Sequence, residues 1–473
     1  MAQDVALMLG ADKRSLFAEA VLLNAVVEKA PGQISKPVAV LARPGMVEFA
    51  ADVSAGRVRG VAYRDGCFNG DTLVVIATEL WRVTPAGIAT QISGTVLGDL
   101  DCRLAIGQDA DLVSVVYIAA GDGFFVYTDG GDPVAQDATW TSATGVAGAT
   151  DVVYHKNDFL AIEAGTDKVY FQLPADPWTA LQFASAERST DSLLALVSIG
   201  DQVLLLGSDT NEAWVKTGEA SPPYAPYGGL AFDYGCLTRG AAIGFMGAAI
   251  WIDKAYAVRM SQGGDAEIIS TNGIAEQIRK VGGGIDISAW WFSLDQHLYY
   301  VLNLAGISTW VFDLSLRTWM QWRTAGRDYW KPFLGVTVGA KVLAFDHEST
   351  TIWRLDPEAD DDAGDPFSWE FMGKTELKSG VADCSNLQLT LRTGRGPREG
   401  YGSDPVMQMR MSDDEGEKWS RWRDRPMGAT GKTRQLVRWN ALGQIEAPWG
   451  RIFHFRCNAS VGRRVSDISM NCD

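Results

Sequence analysis

The chain has 473 residues, 47% hydrophobic and 21% charged, proportions that exclude disorder of the whole. Its formal net charge of −16 is unevenly placed: residues 374–473 hold 17 Lys+Arg against 12 Asp+Glu, which leaves −21 for residues 1–373 and argues against a tight grip on nucleic-acid phosphates by that part. Fifty glycines and 17 tryptophans suit short aromatic strands joined by frequent turns, and the length suggests about two or three domains.

Asp4 interrupts the N-terminal apolar stretch and Asp12, Lys13 and Arg14 follow it, so no secretory signal peptide is expected. The apolar run 112–121 is well short of the roughly 20 residues of a spanning helix. A soluble protein made in a cytoplasm is the expectation, and the six scattered cysteines, with no CxxC pair, are expected to be reduced thiols.

In chain order, residues 13–28 have a possible helical pattern. From about residue 57, pairs of short apolar or alternating runs recur around turns: 72–77 with 80–83, 113–119 with 124–127, 159–164 with 168–172, 202–206 with 213–216, and 248–252 with 255–260. A short helix capped by Asn272 stops at Gly282-Gly283-Gly284, and two more strand pairs follow, 297–302 with 308–312 and 341–345 with 351–355. This spacing predicts an all-β protein with β-propeller-like hairpin repeats; an irregular array of β-sandwiches would give the same local signals. The expected segmentation is an N-terminal segment 1–56 contributing to a platform, a propeller over 57–357, an acidic exposed linker loop over 358–365, and a smaller C-terminal β-sandwich or platform domain over 366–473.

Two motifs have a physical reading. Residues 309–322 (TWVFDLSLRTWMQW) predict two strands stapled by Trp310, Phe312, Trp319 and Trp322, with a sugar-stacking platform as the functional alternative. Residues 412–419 fit the pattern S-x-D-x-G-x-x-W through Ser412, Asp414, Gly416 and Trp419, an Asp-box hairpin turn like those of sialidases and related propellers, which is a folding device. His155, His297, His347 and His454 lie far apart and lack zinc-site spacing. Asp360, Asp361 and Asp362 lack the spacing of an EF-hand loop and read as a solvated acidic loop rather than a calcium site. No phosphate loop or nucleophile elbow occurs. No enzyme activity, cofactor or metal is expected. Nine arginines from Arg421 to Arg464 alternate with Trp422, Trp439, Trp449 and Phe453, which favours a solvated face or contacts with an acidic partner subunit over DNA binding.

The order of several short patterns resembles a known family. These are Leu22-Leu23-Asn24 and Arg43-Pro44-Gly45, then Gly60-Val61, Ala184-Ser185-Ala186-Glu187 and IGDQVLLLGSDTNEAW from Ile199 to Trp214. His297-Leu298-Tyr299-Tyr300 before TWVFD, and SDDEGEKWS before TRQLVRWNALGQ and GRIFHFRCNAS, complete the series. It is similar to that of the tail hub or nozzle proteins of short-tailed bacteriophages, the packaged-DNA stabilisation proteins. The resemblance implies a structural role in the virion tail: a homohexameric ring below the portal and its adaptor ring, extending the DNA channel, retaining packaged double-stranded DNA without binding it specifically, and supporting distal fibre, spike or needle proteins. A carbohydrate-binding or glycan-hydrolysing propeller, and an intracellular interaction propeller, are the rival readings.

Overall fold

The computed structural model describes residues 2–12, 20–29, 38–51, 53–186, 191–282, 287–375, 380–396, 398–399, 402–447 and 449–472. The chain divides into two compact units, one of residues 48–305 and 331–354, the other of residues 1–47, 306–330 and 355–473.

The first unit is a β-propeller with seven sheets among the described residues. In each, the hairpin legible in the sequence is preceded by an inner strand. Blade 1 runs Val58–Ala62, Thr72–Ile76, Glu79–Val83 and Ala89–Ile92, every neighbour antiparallel. Blades 2 to 5 repeat this from inner strands Arg103–Gln108, Ala149–His155, Leu193–Ile199 and Ile243–Phe245. Blade 6 contributes Ile287–Leu294 and His297–Leu304 to this unit, and blade 7 starts with Leu334–Val338 and Lys341–Phe345. The strand Gly45–Ala50, from before blade 1 in the chain, lies outermost in the blade 7 sheet. Its Ala50 packs with Val58, Leu343, Phe345 and Ile352, so the first turn of the ring closes on the last.

Blades are held to one another by apolar side chains from facing sheets. Leu73, Val75 and Leu80 of blade 1 meet Val116, Ile118 and Phe125 of blade 2, and each such side chain, once buried, contributes about 1.5–3 kcal/mol. Between blades 2 and 3 the contact is aromatic, with Trp140 and Trp178 edge-on at 5.2 Å and Phe124 4.7 Å from Trp140. Close approach explains Gly60 on the innermost strand of blade 1: a Cβ there would lie 2.5 Å from Leu104 Cδ1 and 2.6 Å from the Cys102 carbonyl oxygen. The seven inner strands surround a central cavity of about 560 Å³.

The second unit has two packed sheets. One orders Val437–Glu446, Val381–Leu391, Arg464–Cys472, Val38–Ala42 and Ala25–Lys29. The other includes Ser308–Asp313, Thr318–Trp322, Leu22–Leu23, Trp369–Thr375, Arg451–Cys457, Val406–Ser412 and Arg423–Pro426. Buried residues alternate along Val406–Ser412 (Met407, Met409) and Val381–Leu391 (Leu387, Leu389), and Trp439 of one sheet stands 5.8 Å from Phe455 of the other.

Four expectations change. Strands Leu22–Leu23 and Ala25–Lys29 replace the C-terminal part of the helix expected over 13–28, because Leu22, Leu23, Ala25 and Val27 find sheet partners; residues 13–19 lie outside the described residues. The helix Asn272–Val281 is capped one residue earlier, by the Thr271 hydroxyl accepting from Ile274 N–H at 3.3 Å; Gly283 and Gly284 lie outside the described residues. Residues 306–330 belong to the sandwich unit and not to an unbroken propeller over 57–357. Cys384 and Cys472 are disulfide-bonded rather than reduced, because the register of their strands sets them directly opposite, 4.0 Å apart at Cα; Cys67, Cys102, Cys236 and Cys457 are free and buried.

Candidate functional site

The motif residues gather on the sandwich unit. Ser412 ends a strand; its hydroxyl donates to Asp414 Oδ1 at 2.8 Å and accepts from Gly416 N–H at 2.9 Å, while Lys418 N–H donates to Asp414 Oδ1 at 2.8 Å. These bonds favour the ionised form and hold the Asp414 carboxyl below its usual range. The turn they shape lays Trp419 and Trp422 over the outer face of the sheet. There the Arg410 guanidinium lies 4.4 Å from the Trp419 ring and 4.7 Å from that of Trp422, and Arg456 covers Trp422 at 4.2 Å, an alternating ladder of aromatic planes and cations.

His454 anchors the ladder from below. Arg410 Nε donates to its Nδ1 at 3.1 Å, and a guanidinium only donates, so the proton of the neutral ring sits on Nε2 and is given to Glu370 Oε2 at 2.8 Å. Burial lowers the His454 pKa, and Arg410 and Arg456 add to this against the pull of Glu370. Burial alone would raise the Glu370 carboxyl, but the His454 hydrogen bond brings it below its ordinary value. The arrangement is a saturated brace: histidine, carboxylate and guanidinium all have partners within the sheet.

A second cluster accounts for marks near the N-terminus. Asn24, in the left-handed region at φ 49°, donates from its side chain to Ser368 O and accepts from Arg43 Nε at 3.0 Å and from Arg323 N–H at 2.7 Å. Arg43 is fully buried, bound by both Nη atoms to Asp362, and lies 3.9 Å over the Phe367 ring. Asp362 thus departs from the solvated acidic linker expected over 358–365, because burying Arg43 demands a carboxylate partner. Gly45 is fixed by the same loop, since a Cβ there would lie 2.1 Å from the Asp361 carbonyl oxygen.

Of the expected staple, Phe312 and Trp319 stand directly across from each other with ring centroids 4.9 Å apart. Trp310 pairs with Gln321, and Trp322 turns to Trp330 at 4.9 Å. All four staple aromatics are buried, which removes them as a sugar platform.

The arginine series is spent largely inside. Arg451 is buried on Asp413 and the carbonyls of Leu442 and Gln444; Arg463 is buried on the carbonyls of Phe367 and Asp360. Arg423 and Arg425 donate to the carbonyls of Asn440 and Arg438. Arg421, Arg434 and Arg464 are the exposed members of the series. In the propeller, His155 meets Ser198 at 2.9 Å and His347 Nδ1 accepts from Val58 N–H at 3.1 Å. No group of three or more potential metal ligands occurs among the described residues, and no helix there is long and apolar enough to cross a membrane.

One device escaped sequence reading. Asp109, Asp253, Asp313 and Asp346 each accept two backbone N–H bonds from the turn that follows, as from Ala255 and Ala257 for Asp253. The signal was an aspartate closing an apolar strand before a small-residue turn.

A family model described as bacteriophage P22 Gp10, β-propeller, matches residues 3–360. No curated protein matches. Among solved structures, virginiamycin B lyase from Staphylococcus aureus is 10% identical over 66% of this chain and 98% of its own, with a TM-score of 0.46. A streptogramin B lyase is 8% identical over the same shares at TM-score 0.44, and the WD40 β-propeller domain of Doa1 is 11% identical over 66% and 96% at 0.41. These likenesses concern fold alone.

Proposed function

We propose, from the premise that the chain belongs to the phage-stabilisation family of bacteriophage P22 Gp10 β-propellers, that it is the tail hub or nozzle subunit: a ring component that extends the DNA channel below the portal and adaptor and retains packaged DNA. Membership carries a structural role in a phage tail. The finer role rests on charge. The propeller unit holds 17 Lys+Arg against 33 Asp+Glu, so the net −16 of the chain resides there, while the sandwich unit balances at 25 against 25. Asp65, Asp99, Asp111, Asp132, Asp176, Asp201, Glu219 and Asp265 put this charge on the propeller surface. Repeated around a ring, such a surface repels phosphates and lets a duplex slide without adhesion. The balanced sandwich suits a platform against the adaptor ring and the distal fibre, spike or needle proteins. The subunit is made in the host cytoplasm and resides in the virion tail.

Electron microscopy of the purified chain tests the assembly: six-fold rings are expected, and a monomer at all concentrations counts against it. Duplex DNA should not be retained at physiological ionic strength. Glycan hydrolysis or specific glycan binding by the isolated chain would instead favour a carbohydrate-active propeller.

A further inference from the structure

Inside the acidic propeller, its centre has the opposite sign. At one end of the central cavity, side chains from blades far apart in the ring meet. Arg239, in the 3-10 turn Arg239–Ala241 that leads into the inner strand of blade 5, reaches across to donate to the carbonyls of Thr150 and Asp101, at the inner strands of blades 3 and 2. Arg103 of blade 2 returns the contact, its Nη2 donating to the carbonyls of Arg239 and Ala242. The two guanidiniums therefore cross the axis in opposite directions and lie near enough to repel.

The carboxylates present do not balance them. Asp101 Oδ1 is taken by Arg57 at 2.7 Å. Asp151 accepts Val152 N–H at 2.9 Å and Leu196 N–H at 2.8 Å and pairs with Arg103 Nε at 3.9 Å, so its single charge faces both Arg103 and Arg239. Arg59, which is buried, is satisfied by four carbonyls, which cancel none of its charge. Among the described residues, Arg103 Nη1 and Arg239 Nε have no protein acceptor, and both side chains line the cavity. Both side chains are half-buried, and the planar fork of donors each presents to the cavity matches an oxyanion.

We propose that the centre of the propeller is a binding site for a small tetrahedral oxyanion of the phosphate class, held between Arg103 and Arg239. The cavity, about 560 Å³, takes such an ion with its water but not a duplex. The direction of titration agrees: burial and the neighbouring Arg103 make Arg239 easier to deprotonate, an effect that an added negative charge beside the guanidiniums offsets. The site lies wholly within one unit and is independent of ring formation.

The test is calorimetric titration of the full chain, dialysed into near-neutral chloride buffer, with inorganic phosphate, and in parallel with sodium chloride at matched ionic strength and with a short single-stranded oligonucleotide. Saturable binding of one phosphate per chain, accompanied by a rise in melting temperature that chloride does not reproduce, is expected. Arg103→Gln and Arg239→Gln should each weaken phosphate at least about tenfold, the loss of one charge-assisted hydrogen bond. The wild-type comparison of phosphate with chloride decides the matter even where a variant folds poorly. Equal stabilisation by chloride, absence of saturable heat, undiminished affinity in both variants, or oligonucleotide binding without phosphate binding would each overturn the proposal.

Discussion

Arg43 and Asp362, 319 positions apart in sequence, meet as a bidentate pair at 2.8 and 2.6 Å with both side chains out of solvent. With Asn24 bonded to Arg43, Ser368 and Arg323, the pair ties the N-terminal strands, the 306–330 segment and the stretch after residue 360 into one unit.

Asp362→Asn should therefore cost about 3–5 kcal/mol, because it strands a buried guanidinium rather than merely losing a contact. Replacing both partners, as in Arg43→Met with Asp362→Leu, should restore part of the loss. Urea unfolding measures both; a single variant as stable as the parent would show that the pair does not organise the unit.

His347 makes the propeller unit sensitive to mild acid. Burial, then the charge of Arg57, lowers its pKa from 6.5 to about 4. The unfolded chain thus takes up the proton first: stability is intact above pH 6.5 and is lost as pH falls toward about 4. The loss should reach about 2 kcal/mol after allowance for partial exposure. Melting curves across this window should be flatter for His347→Asn than for the parent, and parallel curves would remove His347 as the cause.

The Cys384–Cys472 disulfide closes a separation of 88 residues. On loop-entropy grounds its removal by Cys472→Ser should destabilise the sandwich unit by about 4 kcal/mol. Non-reducing electrophoresis of denatured protein should show faster migration than after reduction; identical mobility and six reactive thiols in place of the four free cysteines would contradict the bond.

Trp422 sits between Arg410 and Arg456, whereas Trp449 is 60% exposed. Trp422→Ala should cost about 2–3 kcal/mol, two cation–π contacts and the packing between them, and Trp449→Ala less than about 0.5 kcal/mol. Comparable losses from both would show that the ladder adds nothing beyond ordinary surface contacts.

The hairpins were legible because their two strands are adjacent in sequence and period-two alternation marks them locally. Inner strands were harder: Ile243–Phe245 has three residues, and its place is set by the cavity it borders. The helix Ala138–Thr144 is a single short stretch whose cap, Asp137 accepting from Thr139 N–H and Trp140 N–H, resembles any Asp turn. What sequence could not reveal were pairings across hundreds of residues. Asp362 looked solvated beside its acidic neighbours, and Cys472 looked unpartnered, because Arg43 and Cys384 are brought to them only by the fold. The charge of the C-terminal arginines was visible, but not that carbonyls of their own unit take up their donors.

The sheet that receives Val38–Ala42 does so beside Arg464–Cys472, and Leu22–Leu23 is matched with Trp369–Thr375. During synthesis on the ribosome, Leu22–Leu23 and Val38–Ala42 must therefore wait for partner strands made hundreds of residues later. A nascent chain cut short before this point keeps open strand edges that template aggregation.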